Sequence, residues 1–135
     1  MSFLLNQLSL AFWNLINSRV DAYRILKNKT IAHGINFSAY ILFVALVCWI
    51  AKYDLKTIIL FSVSAFFNRQ FSFDLPLNLR RHLPWYYQST ANPPKALLDR
   101  VERFIFGDHP LVGIKIAIVY GFLYGNTIAF YFYSK

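Results

Sequence analysis

From Thr30 to Ala51 the chain carries no Asp, Glu, Lys or Arg, and the middle of that stretch reads Tyr40-Ile-Leu-Phe-Val-Ala-Leu-Val-Cys-Trp-Ile50. At about 1.5 Å of rise per residue, roughly twenty helical residues cross a hydrocarbon layer of ~30 Å. A second stretch, Leu111 to Phe132, holds one charge, Lys115, near its start. Two such segments predict a membrane protein that crosses more than once.

Composition agrees. With 57% hydrophobic and 15% charged residues, the 135-residue chain lacks the polar surface of a soluble globule. Trp49, Tyr53, Trp85, Tyr86, Tyr87, Tyr131 and Tyr133 lie near the ends of apolar runs, where amphipathic rings suit the headgroup layer. The formal charge of +8 sits beside apolar helices and not on a soluble face, which points to anionic headgroups and away from nucleic acid. Cys48, the single cysteine, lies inside the strongest apolar run and offers no disulfide or thiolate metal site. A cleavable signal peptide fits poorly, because no positive charge precedes Phe3 and Asn6, Gln7 and Asn14 interrupt the first apolar stretch.

The expected architecture is one all-α membrane domain over residues 1–135. It has three or four transmembrane helices and an amphipathic interfacial helix in its cytoplasmic segment. Spans are expected at about 30–51, 55–75 and 111–132. Residues 2–27 form a helix whose Asn6, Gln7, Asn14, Asn17 and Ser18 share one arc. That helix either spans, with its amide face against other helices, or lies in the interface. Pro76 either disturbs the second span or opens a new helix. Asn92-Pro-Pro starts a helix over about 93–106, with Leu97, Leu98, Val101, Phe104 and Ile105 on one side. Lys95, Asp99, Arg100, Glu102 and Arg103 occupy its other side. Arg19, Arg24, Lys27, Lys29, Arg69, Arg80, Arg81, Lys95, Arg100 and Arg103 would then face the cytoplasm, against Lys52, Lys56 and Lys135. The expected location is the bacterial inner membrane.

That topology gathers His33, Asp74, Asn78 and Arg81 at one membrane face. In a helix, Asp74, Asn78 and Arg81 are spaced i, i+4, i+7 and share a side. A carboxylate, an amide and a guanidinium together could bind a phosphate-bearing headgroup or orient a water. His33 and Asp74 could contribute to a divalent-metal site, although two protein ligands fall short of a stable one. The plainer reading is a structural polar network, and it is preferred. Arg69, Arg80, Arg81, Lys95, Arg100 and Arg103 are expected to meet lipid headgroups, with Arg69 either snorkelling or paired with Asp74. Asn36, Ser38 and Asn126 read as helix-to-helix hydrogen-bonding groups. Gly121 and Gly125 permit close helix approach within the chain or between copies. No phosphate loop, His-Glu-x2-His or serine elbow is present.

Asp21-Ala-Tyr-Arg24, Ile31-Ala-His33-Gly-Ile-Asn36, Phe73-Asp74-Leu-Pro-Leu-Asn78-Leu-Arg80, Tyr87-Gln-Ser89, Pro94-Lys95-Ala-Leu-Leu-Asp99-Arg-Val-Glu102 and Phe106-Gly107 follow one another along most of the chain. This order resembles small integral membrane proteins encoded by phages and prophages of bacteroidete bacteria. Arg81 departs from that pattern, which has glycine after Arg80. The group has no established activity; the resemblance implies a phage-related membrane setting. Three functions compete: a non-enzymatic membrane protein, phage-associated or accessory; a membrane-embedded hydrolase or transferase acting on a lipid or phosphate compound; and a holin-like pore-former. The residues decide neither enzyme status nor cofactor.

Overall fold

The computed structural model describes residues 3–29, 33–87, 97–107 and 112–134, and every regular element among them is a helix. The elements are α1 (Phe3–Leu26), α2 (His33–Ile50), α3 (Leu55–Arg69), α4 (Leu75–Arg80), α5 (Leu97–Phe106) and α6 (Val112–Tyr133). A π turn, Gln70–Asp74, joins α3 to α4 without a break, the Leu75 N–H reaching back to the Gln70 carbonyl. Pro76, near the start of α4, explains the wide turn. Proline has no N–H to give and its ring collides with the carbonyl four residues back. A π turn opens that space while the helix runs on.

Helix ends follow local chemistry. Asp54 caps α3, its Oδ1 accepting from the Thr57 N–H at 3.0 Å. α1, α2 and α4 each close in paired C-terminal turn bonds around a left-handed residue: Asn28 (φ 53°), Lys52 (φ 51°) and His82 (φ 59°). At α2 the Tyr53 N–H reaches the Cys48 carbonyl at 3.2 Å and the Lys52 N–H the Trp49 carbonyl at 3.1 Å.

Contacts fix the helix directions. Phe3 stacks on Tyr131 at 4.0 Å and meets Phe61 edge-on, so the start of α1, the α2–α3 turn and the end of α6 share one end of the bundle. At the other end, Arg80 reaches Ser18 and the Leu15 carbonyl of α1. There the Tyr86 carbonyl seats against Gly113 at the start of α6. α1 and α3–α4 therefore run one way, and α2 and α6 the other. Arg19, Arg24, Arg80 and Arg81 gather at one end, with Lys52 and Lys56 at the opposite end, as the charge pattern predicts.

The expected all-α class holds among the described residues. Among the described residues one helix, Val112–Tyr133, is long and apolar enough to cross a membrane, and Ile35–Ile50 is apolar but shorter. α1 has the length, but the amide face lowers its average. α3 stops as an α-helix at Arg69, and its continuation to Arg80 passes through the π turn. The interfacial helix is described from Leu97; residues 93–96 lie outside the described residues.

Candidate functional site

α1 is amphipathic in an inverted sense. Its buried residues are Phe3, Asn6, Gln7, Leu10, Asn14, Ser18, Asp21 and Ala22, recurring every three or four positions. Leu4, Leu5, Leu8, Phe12, Leu15, Ile16, Val20 and Tyr23 point outward. The inner face builds a column of amides and hydroxyls against α3, the π turn and α6.

Near the first end, the Asn6 amide donates to the Tyr53 hydroxyl at 2.6 Å. One turn on, Gln7 Nε2 donates to Ser64 Oγ at 2.6 Å. Asn68 Nδ2 lies 3.0 Å from Gln7 Oε1, 3.1 Å from the Gln7 carbonyl and 3.3 Å from the Tyr124 hydroxyl. Ser72 Oγ is 2.8 Å from Asn68 Oδ1 and accepts from Asn14 Nδ2 at 2.9 Å. Tyr40 donates to the Ala65 carbonyl at 2.7 Å. Asn14 Oδ1 is the one buried side-chain oxygen without a partner among the described residues. At the second end, Asn36 Nδ2 lies 3.0 Å from both oxygens of the buried Asp21 carboxylate. The column is thus neutral through its middle and charged only toward the arginine-rich end. At the opposite end, the Thr57 hydroxyl and backbone N–H hold the exposed Asp54 carboxyl below the usual carboxylate range.

The four residues singled out in the sequence meet different fates. His33 is the first residue of α2. Asn78 spends its amide on the chain itself, donating to the carbonyls of Trp85 (3.1 Å) and Tyr87 (3.0 Å), and so ties the aromatic turn to α4. Arg81 lies over the Tyr87 ring at 6.0 Å. Asp74 is the last residue of the π turn, directly ahead of α4. Arg69 turns instead toward the rings of Phe73, Tyr40 and Phe37. Among the described residues no three His, Cys, Asp or Glu side chains converge as metal ligands.

Of the expected headgroup contacts, Arg80 is drawn onto α1, Arg100 is exposed and Arg103 half-buried. Lys95 lies outside the described residues. Gly121 faces the tip of the Phe71 ring, whereas Gly125 has open space beside it. Asn36 makes the expected interhelical bond to Asp21, but Asn126 donates within its own helix, to the Phe122 carbonyl at 2.7 Å.

Among the described residues, cavities lie on two sides of the bundle. One of about 580 Å³ lies between the α2–α3 turn and the end of α6, lined by Phe3, Lys52, Asp54, Lys56 and Tyr131 among others. The other, of about 450 Å³, is an apolar groove between α1 and α2 along Phe12, Trp13 and Phe43. None of His33, Asp74, Asn78 and Arg81 lines either.

Sequence reasoning missed Glu102. It is 4% exposed, and its Oε1 accepts from the Tyr120 hydroxyl at 2.9 Å, latching α5 to α6. Its place on the charged side of an amphipathic helix gave no sign of this, because the docking angle of that helix is set by α6. Asn68 and Ser72 were legible only as small polar residues in an apolar run. Set against family models, curated proteins and solved structures, the chain matches none.

Proposed function

We propose that this is a multi-pass integral membrane protein in which α1, α2, α3–α4 and α6 all cross the bilayer, and that its role there is non-enzymatic. The inverted face of α1 carries the reading. In water, Leu8 and Phe12, each 66% exposed, and their outward neighbours would each forgo about 1.5–3 kcal/mol of burial. Meanwhile Asn6, Gln7, Asn14, Ser18 and Asp21 would be taken out of water. In lipid both placements are favourable. Apolar chains meet acyl chains, and polar groups find one another between helices.

Outward polar groups support the same reading, because they are satisfied within their own helices. Asn126 and Thr127 each donate to the carbonyl four residues back at 2.7 Å, and Ser9 to the Leu5 carbonyl at 3.0 Å. α5 fits an interfacial position. Phe104 is 91% exposed, with Val101 and Ile105 on the same face, while Glu102 is held against α6. A scaffold role is favoured over hydrolase or transferase because the Asn78 amide is spent on the Trp85 and Tyr87 carbonyls of the aromatic turn. It is favoured over a pore because the polar column closes on itself through side-chain hydrogen bonds.

Topology reporters test the proposal. Tags after Lys29 and within residues 88–96 should be cytoplasmic, and tags at Lys52–Asp54 and after Ser134 external. Tags at Lys29 and Lys52 found on the same side, or release of the chain by alkaline carbonate, would refute it.

A further inference from the structure

We infer that Arg69 is a receptor for the phosphate of a lipid headgroup at the cleft between α2 and α3, an inference that rests on the multi-pass reading. The guanidinium carbon lies 4.1 Å from the centre of the Phe73 ring, 5.6 Å from that of Tyr40 and 5.8 Å from that of Phe37. Ring faces attract a guanidinium but accept none of its five in-plane N–H bonds in the way an oxygen does. Among the described residues Arg69 has no hydrogen-bond acceptor. The nearby oxygens are committed elsewhere: the Tyr40 hydroxyl to the Ala65 carbonyl, and Asp21 to Asn36.

An arginine held beside rings with its N–H groups unbonded is costly in apolar surroundings. Position supplies the missing acceptor. Arg69 stands about 21 Å along the helix from Leu55, about 9 Å short of the far edge of a ~30 Å hydrocarbon layer, a gap that its long side chain largely spans toward the arginine-rich leaflet. Arg69 is only half-buried, and Phe37 is 44% exposed beside it, so the cleft opens to the surface. Three rings around the guanidinium restrict where it can move, which favours the two-pronged grip that arginine makes on phosphate. Free phosphate carries the same oxygens and is the second source of that ligand.

The test is native mass spectrometry of the full chain in detergent, titrated with phosphatidylglycerol, diacylglycerol and inorganic phosphate. The native chain should retain phosphatidylglycerol and not diacylglycerol. Arg69→Gln should lower that retention about tenfold or more. Phe73→Leu should lower it a few-fold by freeing the fork, and Arg19→Gln, an exposed arginine at the same end, should leave it unchanged. Equal retention by Arg69→Gln, an equal loss in Arg19→Gln, or equal retention of diacylglycerol would overturn the inference. Displacement by millimolar inorganic phosphate would overturn the lipid source. Should Arg69→Gln fail to fold, Arg69→Lys and Phe73→Leu decide, and unchanged retention in both overturns the inference. Correct topology with unchanged retention refutes this site alone, whereas failed topology with an Arg69-dependent loss refutes the multi-pass reading alone.

Discussion

Asn68→Leu removes the side chain on which α1, α3 and α6 converge. Its amide serves Gln7 and the Tyr124 hydroxyl, and its carbonyl oxygen lies 2.8 Å from Ser72 Oγ. Two amide hydrogens and one acceptor limit the loss to about three bonds. At roughly 0.6 kcal/mol for each interhelical bond in a membrane protein, that is about 2 kcal/mol. Gln7 Oε1 is also left unmet in a 2%-exposed residue, which adds about 1–2 kcal/mol where no water replaces the amide. The expected cost is therefore ~3–4 kcal/mol, although leucine is the more apolar residue. Cys48 provides the probe: it is the single cysteine and only 6% exposed, so its maleimide reactivity reports unfolding in mixed micelles. Pairing Asn68→Leu with Gln7→Leu in a double-mutant cycle should show a coupling of about 1 kcal/mol or more. Additivity within about 0.5 kcal/mol would refute the network, as would a single-mutant cost below about 0.5 kcal/mol, the outcome for a column open to water.

Gly113→Ala should be far more damaging than Gly121→Ala. A β-carbon at 113 would run into the Tyr86 carbonyl, whose carbon is 2.8 Å away and which is backbone, for a cost of about 2–4 kcal/mol by the same probe. At 121 the obstacle is the tip of the Phe71 ring at 3.3 Å, which can swing, and less than about 1 kcal/mol is expected. His82→Gly should stabilise by about 1 kcal/mol, because the left-handed position closing α4 then loses its β-carbon strain; a destabilised variant would contradict that geometry. Asp54 gives a pH signature. Because Thr57 lowers its carboxyl in the folded chain, the stability it contributes is complete above the unfolded value of ~3.9 and is lost as pH falls through the folded one. Comparing acid unfolding of the native chain with Asp54→Asn should show a difference that shrinks only below about pH 4, and a difference varying between pH 5 and 7 would count against it.

How far the sequence disclosed this fold depends on what each residue needed from elsewhere. The apolar stretches behind α2 and α6 announce their helices from composition alone, and their C-terminal ends differ from expectation by one residue. The arc of Asn6, Gln7, Asn14 and Ser18 marked an amide face because it depends only on helical period, and that face is buried against α3 and the π turn. Asn17, in the same arc, is only half-buried and bonds back to the Trp13 carbonyl. Partners were a different matter. The bonds of Asn68 to Gln7 and of Glu102 to Tyr120 depend on the register between helices, which no single periodicity contains. The polar set around Asp74 was assembled from i, i+4, i+7 spacing. In the fold Asn78 is buried and holds the aromatic turn, while the side chain of Arg81 lies at the helix end over Tyr87.

The same physics explains why average hydropathy undervalues α1. A mean over a helix cannot tell polar residues that face lipid from polar residues that face other helices, yet their energies are opposite. Lipid supplies no hydrophobic drive to bring helices together, so a membrane bundle relies on close packing and on polar groups that prefer one another to hydrocarbon. α1 has both. Leu10 and Phe3 are fully buried against the bundle, Gln7 between them bonds Ser64 of α3, and Asn14 beyond them bonds Ser72 of the π turn. α6, which passes on average hydropathy, has only 17% of its apolar window buried. Its outward Asn126 and Thr127 are tolerable in lipid because each already bonds its own backbone. The direction in which polar residues point, and whether each is satisfied where it points, is thus the sign on which the proposed multi-pass reading places α1 beside α6.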